Sequence, residues 1–159
     1  MQTTTYTVVQ VLALLLISLV AGSMFGIWRG YPIAEYSPAT LLEVHKAAIR
    51  GLNTLLPAMA VGCLILVLIF AFANRSRPAC LSVYLATAAA IVVGGLITRL
   101  VNQPINEQVM TWTITTLPHD WVEIRDRWWA WHQVRLSTTI IAQLLLISAI
   151  FVDRSSTSS

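Results

Sequence analysis

Four apolar stretches, each long enough to cross a bilayer as a helix, constrain the fold of this chain more than any other feature. The first covers about residues 7–27 and includes the uncharged run LALLLISLVAGSMFGI. A transmembrane helix needs about 20 such residues to cross about 30 Å of hydrocarbon. The others are predicted at about residues 40–73, 79–101 and 120–152, followed by a polar tail over 153–159. We therefore predict an all-α, four-helix up-down-up-down bundle that forms one integral membrane domain over residues 1–159.

The composition excludes a water-soluble globular fold. Hydrophobic residues make up 57% of the 159 residues and charged residues only 11%, whereas a soluble domain carries about 25% charged residues. A domain of this size has too little interior to remove so much apolar surface from water. The ten Lys and Arg residues form no polybasic patch, so we expect no nucleic-acid partner. The predicted partners are the membrane and a small hydrophobic ligand or lipid, and a homo-oligomer is left open.

Prolines and polar residues mark where the longer helices begin and break. Ser37 and Pro38 predict the N-terminus of the second helix, because they suit the cap and the first helical position. Pro57 is expected to kink this helix, and the fourth helix is expected to begin near residue 118. Helices two and four would then extend beyond the lipid on one side. Pro104 is expected to break the third helix, with Asn102 and Asn106 on either side.

The charged residues are concentrated at one predicted end of the bundle. That end carries 13 of the 17 charged residues, seven basic and six acidic, so the end with the termini and the 74–78 turn is expected to be chemically plain. The basic 74–78 turn favours cytoplasmic termini in a bacterial inner membrane, whereas a simple count of Lys and Arg favours the opposite orientation. We expect cytoplasmic termini, with the charged end of the bundle on the outer side of the membrane.

Two helices carry polar stripes that are predicted to face a shared hollow. The first stripe, on helix two, contains His45, Ile49, Leu52 and Asn53. The second, on helix four, contains Trp121, Arg125, Trp128, His132, Arg135 and Thr139. An arginine in lipid is costly unless it faces the bundle interior, so we expect both stripes to point inward. The expected convergent polar groups are His45, Asn53, Asn102, Asn106, His132 and Arg135, with Trp128 and Trp112 as walls.

Each of these features also has a structural interpretation. Tryptophans at the headgroup level commonly form an interfacial belt. Asn102 and Asn106 could simply cap a broken helix. Arg99 and Arg135 could pair with Glu107 or Glu43 and fasten the helix ends together. Cys63 and Cys80 belong to no metal-binding spacing and are expected to be buried, inert thiols.

The candidate residues allow proton abstraction without a cofactor. His132 and His45 could act as general base and acid. Arg135 with Asn102 and Asn106 could stabilise an oxyanion through fixed donors. This equipment suits deprotonation of an activated aromatic carbon acid or phenol, whose anion can react with oxygen without a metal. We expect a ligand to contact Trp128, Trp112, Asn53 and Arg125.

Two other functions remain open. One is a metal site with His45, His132 and Glu43 as ligands, which is less favoured because Glu43 points about 160° away from His45 in helical phase. The other is a protein without catalytic activity that binds a lipophilic ligand or a partner subunit.

The third-to-fourth helix block resembles the anthrone oxygenase-like family of integral membrane proteins. The residues that carry the resemblance are Asn102, Pro104, Asn106, Trp112, Trp121, Arg125, Trp128, His132 and Arg135. The stretch EVHK at 43–46, and Asn53 with Pro57, resemble the second-helix motif of the family. The resemblance extends over nearly the whole chain.

The resemblance implies a four-helix membrane protein and a possible reaction. Fungal members oxidise polyketide anthrones to anthraquinones without a known cofactor, whereas most bacterial members have no assigned reaction. The family's patterned positions map to Asn102, Asn106, Arg125, Trp128, His132 and Arg135. His132 stands where the family often has asparagine, which bears on the proton chemistry. The resulting hypothesis is a cofactor-independent monooxygenase.

Overall fold

The structure, a computed structural model, describes residues 2–155 as a bundle made only of helices. The helices are α1 (Gln2–Gly30), α2 (Pro38–Leu52), α3 (Leu55–Ala73), α4 (Pro78–Ile97), α5 (Gln103–Thr111) and α6 (Trp121–Ser155), with a π-helical turn at Thr98–Asn102. They form four units that are long and apolar enough to cross a membrane, namely Thr4–Gly30, Pro38–Ala73, Pro78–Thr111 and Trp121–Arg154. The protein is therefore an integral membrane protein by its fold, as the sequence predicted.

The second unit begins where the sequence predicted and is interrupted slightly before the expected place. Ser37 Oγ accepts a hydrogen bond from the backbone N–H of Thr40 at 3.2 Å, which caps α2. The helix stops at Leu52 and restarts at Leu55, so the break precedes Pro57. The physical reason is that the ring of a proline conflicts with the carbonyl four residues earlier, here that of Asn53.

The predicted break at Pro104 is wrong. The π-helical turn at Thr98–Asn102 leads directly into α5, and the N–H of Gln103 bonds to the carbonyl of Thr98, five residues earlier. A π-turn widens the helix, and this wider turn gives the proline ring room. The third unit consequently continues to Thr111, ten residues beyond the predicted end at 101.

The four units surround a common core, with α1 against α3 and α6, and α4 against α3 and α6. The half of the core nearer the termini is closed by buried residues such as Ile17, Val67, Phe70 and Tyr84. α4 approaches α6 closely at Gly94, where an added Cβ would lie 2.9 Å from Thr138 Oγ1. Small residues permit such close approach of helices in a membrane.

The end of the bundle that was predicted to be plain contains a buried polar cluster. Asp153 is 2% exposed and lies inside α6, so the predicted polar tail does not begin at 153. Its Oδ2 atom accepts hydrogen bonds from the Tyr6 hydroxyl at 2.5 Å and from Gln10 Nε2 at 3.1 Å. Its Oδ1 atom forms an ion pair with Arg77 at 2.5 Å. The cluster therefore ties α6 to α1 and to the 74–78 turn.

We expect Asp153→Ala to destabilise the fold strongly. Removing the carboxylate leaves Arg77, Tyr6 and Gln10 without their shared acceptor, and breaking such a buried pair costs about 3 kcal/mol. For a chain of this length that corresponds to a fall of about 6–12 °C in the thermal unfolding midpoint. The matched control is Asp126→Ala on the same helix, because the Asp126 side chain is 62% exposed in its pair with Arg125. Equal midpoints for the two variants would contradict the proposed role of the cluster.

Candidate functional site

A cavity of about 370 Å³ lies in the half of the bundle away from the termini. All four membrane-crossing units contribute to its wall, and most of the wall is aliphatic. The polar side chains at its surface include His45, Asn53, Asn106 and Arg135, four of the six groups expected to converge. An apolar hollow with a few polar groups is the usual form of a small-molecule site.

Arg135 is a cation without a carboxylate partner at this cavity. Its Nη2 atom donates to His132 Nδ1 at 2.9 Å, and its Nε atom is buried with no hydrogen-bond partner. Among residues 2–155 no carboxylate lies within salt-bridge distance of it, so the anticipated pairing with Glu43 or Glu107 is not formed. An uncompensated guanidinium in an apolar environment is costly. Such a group is expected where a ligand supplies the missing acceptor.

His132 lies behind Arg135 and is 0% exposed. Its Nε2 atom lies 3.0 Å from the carbonyl oxygen of Met24 on α1. A carbonyl only accepts and a guanidinium only donates, so Nε2 carries the proton and Nδ1 accepts from Arg135. Both ring nitrogens are thus occupied in the neutral form. This arrangement orients Arg135 and leaves His132 no free lone pair toward the cavity.

Trp128 fills the space between the two histidines. Its indole lies 4.4 Å from the His45 ring and 5.2 Å from the His132 ring, measured between ring centroids. The hollow is therefore not between the imidazoles, as the helical phases suggested, but beside them. Of the two, only His45 lines it. The Arg135 guanidinium carbon lies 5.8 Å from the centre of the Trp128 indole.

Asn106 organises the second polar side of the cavity. Its Oδ1 atom accepts from the indole N–H of Trp128 at 2.8 Å, and its Nδ2 atom donates to Asn53 Oδ1 at 2.8 Å. Because an indole nitrogen only donates, these contacts fix the orientation of the amide. His45 Nε2 lies 3.4 Å from the same Oδ1 atom. A donating Nε2–H there leaves Nδ1 of His45 as the nitrogen with the lone pair.

Asn102 is near the site but outside the cavity wall. It is 0% exposed, and its Nδ2 atom donates to the backbone carbonyl of Trp128 at 3.1 Å. Its Oδ1 atom is buried without a partner. Asn102 therefore contacts the segment that carries Trp128 and does not cap a broken helix.

Besides His132 and Asn102, three predicted residues are not brought to the cavity wall. Arg125 bonds to Asp126 and to the carbonyl of Ile33 at the surface. Trp112 and Glu43 line a separate shallow depression, where Lys46 Nζ donates to the Trp112 carbonyl at 2.5 Å.

Nor does the fold assemble the alternative metal-ligand set. Glu43 lies on that other surface, and the Trp128 indole separates His45 from His132. In the described part of the chain, no group of three His, Cys, Asp or Glu side chains is placed to hold a metal ion.

Helix α1 contributes a wall that sequence reasoning missed. Its lining residues are Ile17, Val20, Met24 and Ile27. Their spacing is helical and visible in the sequence. However, α1 is apolar on every face, so the stripe does not stand out. The Met24 carbonyl that holds His132 has no signal in the sequence at all.

Fold and cavity together define an integral membrane, four-span helical protein with a polar-edged hollow near one end. The chain matches the family model described as anthrone oxygenase over residues 45–145. The match covers 101 of the 159 residues, and the chain belongs to this family. It includes all five predicted catalytic residues, from His45 to Arg135. No curated protein and no solved structure matches the chain.

Proposed function

We propose that this protein is a membrane-embedded oxygenase that removes a proton from a small hydrophobic aromatic ketone and oxidises the resulting anion with molecular oxygen. The observation that carries the proposal is Arg135, a cation without a carboxylate partner at an apolar cavity that is also lined by His45. The name of the family to which the protein belongs supports anthrone as the substrate class.

The proposed reaction starts with loss of a proton from the anthrone methylene carbon. His45 Nδ1 takes this proton, and Arg135 Nε donates to the ketone oxygen as it becomes an enolate. The enolate carbon gives electrons to oxygen and forms a hydroperoxide after protonation. Loss of water then removes the second methylene hydrogen and leaves a carbonyl. One anthrone and one oxygen molecule give one anthraquinone and one water, so the proposed reaction needs no cofactor or external reductant.

The other residues of the site are proposed to position the reacting groups. Asn106, held by Asn53, orients His45, and Trp128 supplies a flat surface for the aromatic ring. His132 is a positioning residue for Arg135 in this proposal, in place of the general base suggested by the sequence. The remaining proposals are a bacterial inner membrane location, cytoplasmic termini, and a small hydrophobic ligand or lipid as the partner.

The test is turnover of anthrone by the protein reconstituted in lipid nanodiscs. We expect anthraquinone formation and oxygen uptake in equal amounts, well above the rate in empty nanodiscs. Saturable anthrone binding without product above that background would contradict the oxygenase proposal and favour a protein that only binds lipophilic ligands.

A further inference from the structure

The cavity is open at one place only among its described lining residues. Those contributed by α1, α2, α5 and α6 are buried or partly buried. The exposed ones are Val61 on α3, Val92 and Gly95 on α4, and Arg99 in the π-turn. A residue that both lines a cavity and is exposed marks its opening. The opening therefore lies between α3 and α4.

The surroundings of this opening are those of a lipid-facing surface. Ile65 on α3 and Val93 and Leu96 on α4 are all exposed on the outside of the bundle. Arg99 lies about 10 Å along the helix from Val92 at 1.5 Å per residue. The opening thus extends from an apolar surface toward a basic side chain at the polar end.

The two ends of the cavity are closed by packed side chains. Toward the polar end lies a cluster that includes Leu42, Ile105, Val109 and Trp112. Toward the termini lies the main core, in which Val67 and Ile17 are at most 2% exposed. A ligand thus has no comparable path along the bundle axis.

Gly95 gives the opening its width. A Cβ atom added there would have no neighbouring atom within 4 Å. At the adjacent Gly94, an added Cβ would meet Thr138 Oγ1 at 2.9 Å. Gly94 thus serves helix packing, whereas the space beside Gly95 is free for a ligand.

We infer that lipophilic substrates reach the cavity sideways from the hydrocarbon of the bilayer, through the opening between α3 and α4, and that Gly95 sets the size of molecule that passes. The inference rests on the proposed function for the identity of the substrate alone. It makes Gly95 a specificity-determining residue, and it predicts that substrate concentration in the membrane controls the rate.

The test attaches groups of different size at position 95 after folding. Gly95→Cys is purified and labelled with either a methyl or a benzyl thiosulfonate reagent, so that each sample starts from the same folded protein. Cys63 and Cys80 are both 0% exposed, so the reagents react at the introduced thiol. Gly26→Cys is the matched control, because Gly26 is an exposed helical glycine with no atom within 4 Å and lies outside the cavity wall.

Anthrone binding is measured in nanodiscs under nitrogen, through the quenching of tryptophan fluorescence. Without oxygen, entry of the ligand into the cavity is observed separately from its oxidation. With the benzyl label at 95, we expect association and dissociation both to slow by about tenfold or more, equivalent to about 1.4 kcal/mol of barrier. The equilibrium affinity should change little, and the label at 26 should have no effect. Association and dissociation rates unchanged by the benzyl label at 95 would overturn the inference. Equal slowing by the methyl and the benzyl label at 95 would also overturn it.

The result is independent of the proposed chemistry. Label-dependent rates in a protein that never oxidises anthrone would support the opening and contradict the oxygenase. Normal oxidation with rates indifferent to the label at 95 would contradict the opening alone.

Discussion

Replacing Arg135 with glutamine is expected to lower kcat for anthrone oxidation by about 100- to 1,000-fold, the usual cost of removing one preorganised oxyanion donor. Glutamine keeps a polar side chain but is shorter and removes the positive charge. The charge is what stabilises the enolate oxygen, because the other lining arginine, Arg99, is exposed at the opening, whereas Arg135 Nε is buried without a partner. Steady-state turnover in nanodiscs measures the effect.

The same substitution is expected to leave the thermal unfolding midpoint unchanged or higher. A buried guanidinium without a carboxylate partner destabilises the fold. Removing it should therefore not lower the stability of the protein, although it lowers the activity. Arg127→Gln is the matched control, since Arg127 is exposed on the same helix. Neither kcat nor the thermal unfolding midpoint should change in that variant. A large loss of stability in Arg135→Gln with near-normal turnover would show that Arg135 is structural.

The two histidines are expected to respond differently to amide substitution. His45→Gln should lower kcat by about 100- to 10,000-fold, the range for loss of a general base. The glutamine amide can still donate to Asn106 Oδ1, so the fold is preserved while the base is lost. His132→Asn should stay within about tenfold of wild type, because an amide oxygen near the position of Nδ1 can still accept from Arg135.

The control for this contrast is His132→Leu, which fills the space but neither accepts nor donates. It should lower kcat to about the level of Arg135→Gln, since Arg135 loses its positioning bond. Equal and complete loss in His132→Asn and His132→Leu would assign the base to His132 and contradict its positioning role.

Helical spacing predicted the fold and much of the site. The four spans follow from hydrophobicity alone, and the stripes place His45, Trp128 and Arg135 on inward faces as found. Phase along a helix gives the direction of a side chain but not what lies in front of it. The position of the Trp128 indole between the imidazoles depends on the packing of α2 against α5 and α6, so the sequence could not predict it.

Backbone adjustments and partners that are distant in sequence account for the other differences between the predicted and the observed structure. Pro104 in the sequence indicates a break, but the π-turn before it widens the helix and lets it continue into α5. Asp153 looks like a solvated terminus because its partner Tyr6 is 147 residues away. Tyr6 and Gln10, four residues apart, share a face of α1, which is the one signal that could have indicated that cluster.

The most direct measurement of the central claim is the infrared spectrum of isotope-labelled anthraquinone bound to the protein. We expect two carbonyl bands, one typical of an apolar environment and one shifted to lower frequency by a hydrogen bond from Arg135. The shifted band should disappear in Arg135→Gln while binding persists. A single unshifted carbonyl band in the wild-type complex would contradict the claim that this cavity presents a cation to the oxygen of its ligand.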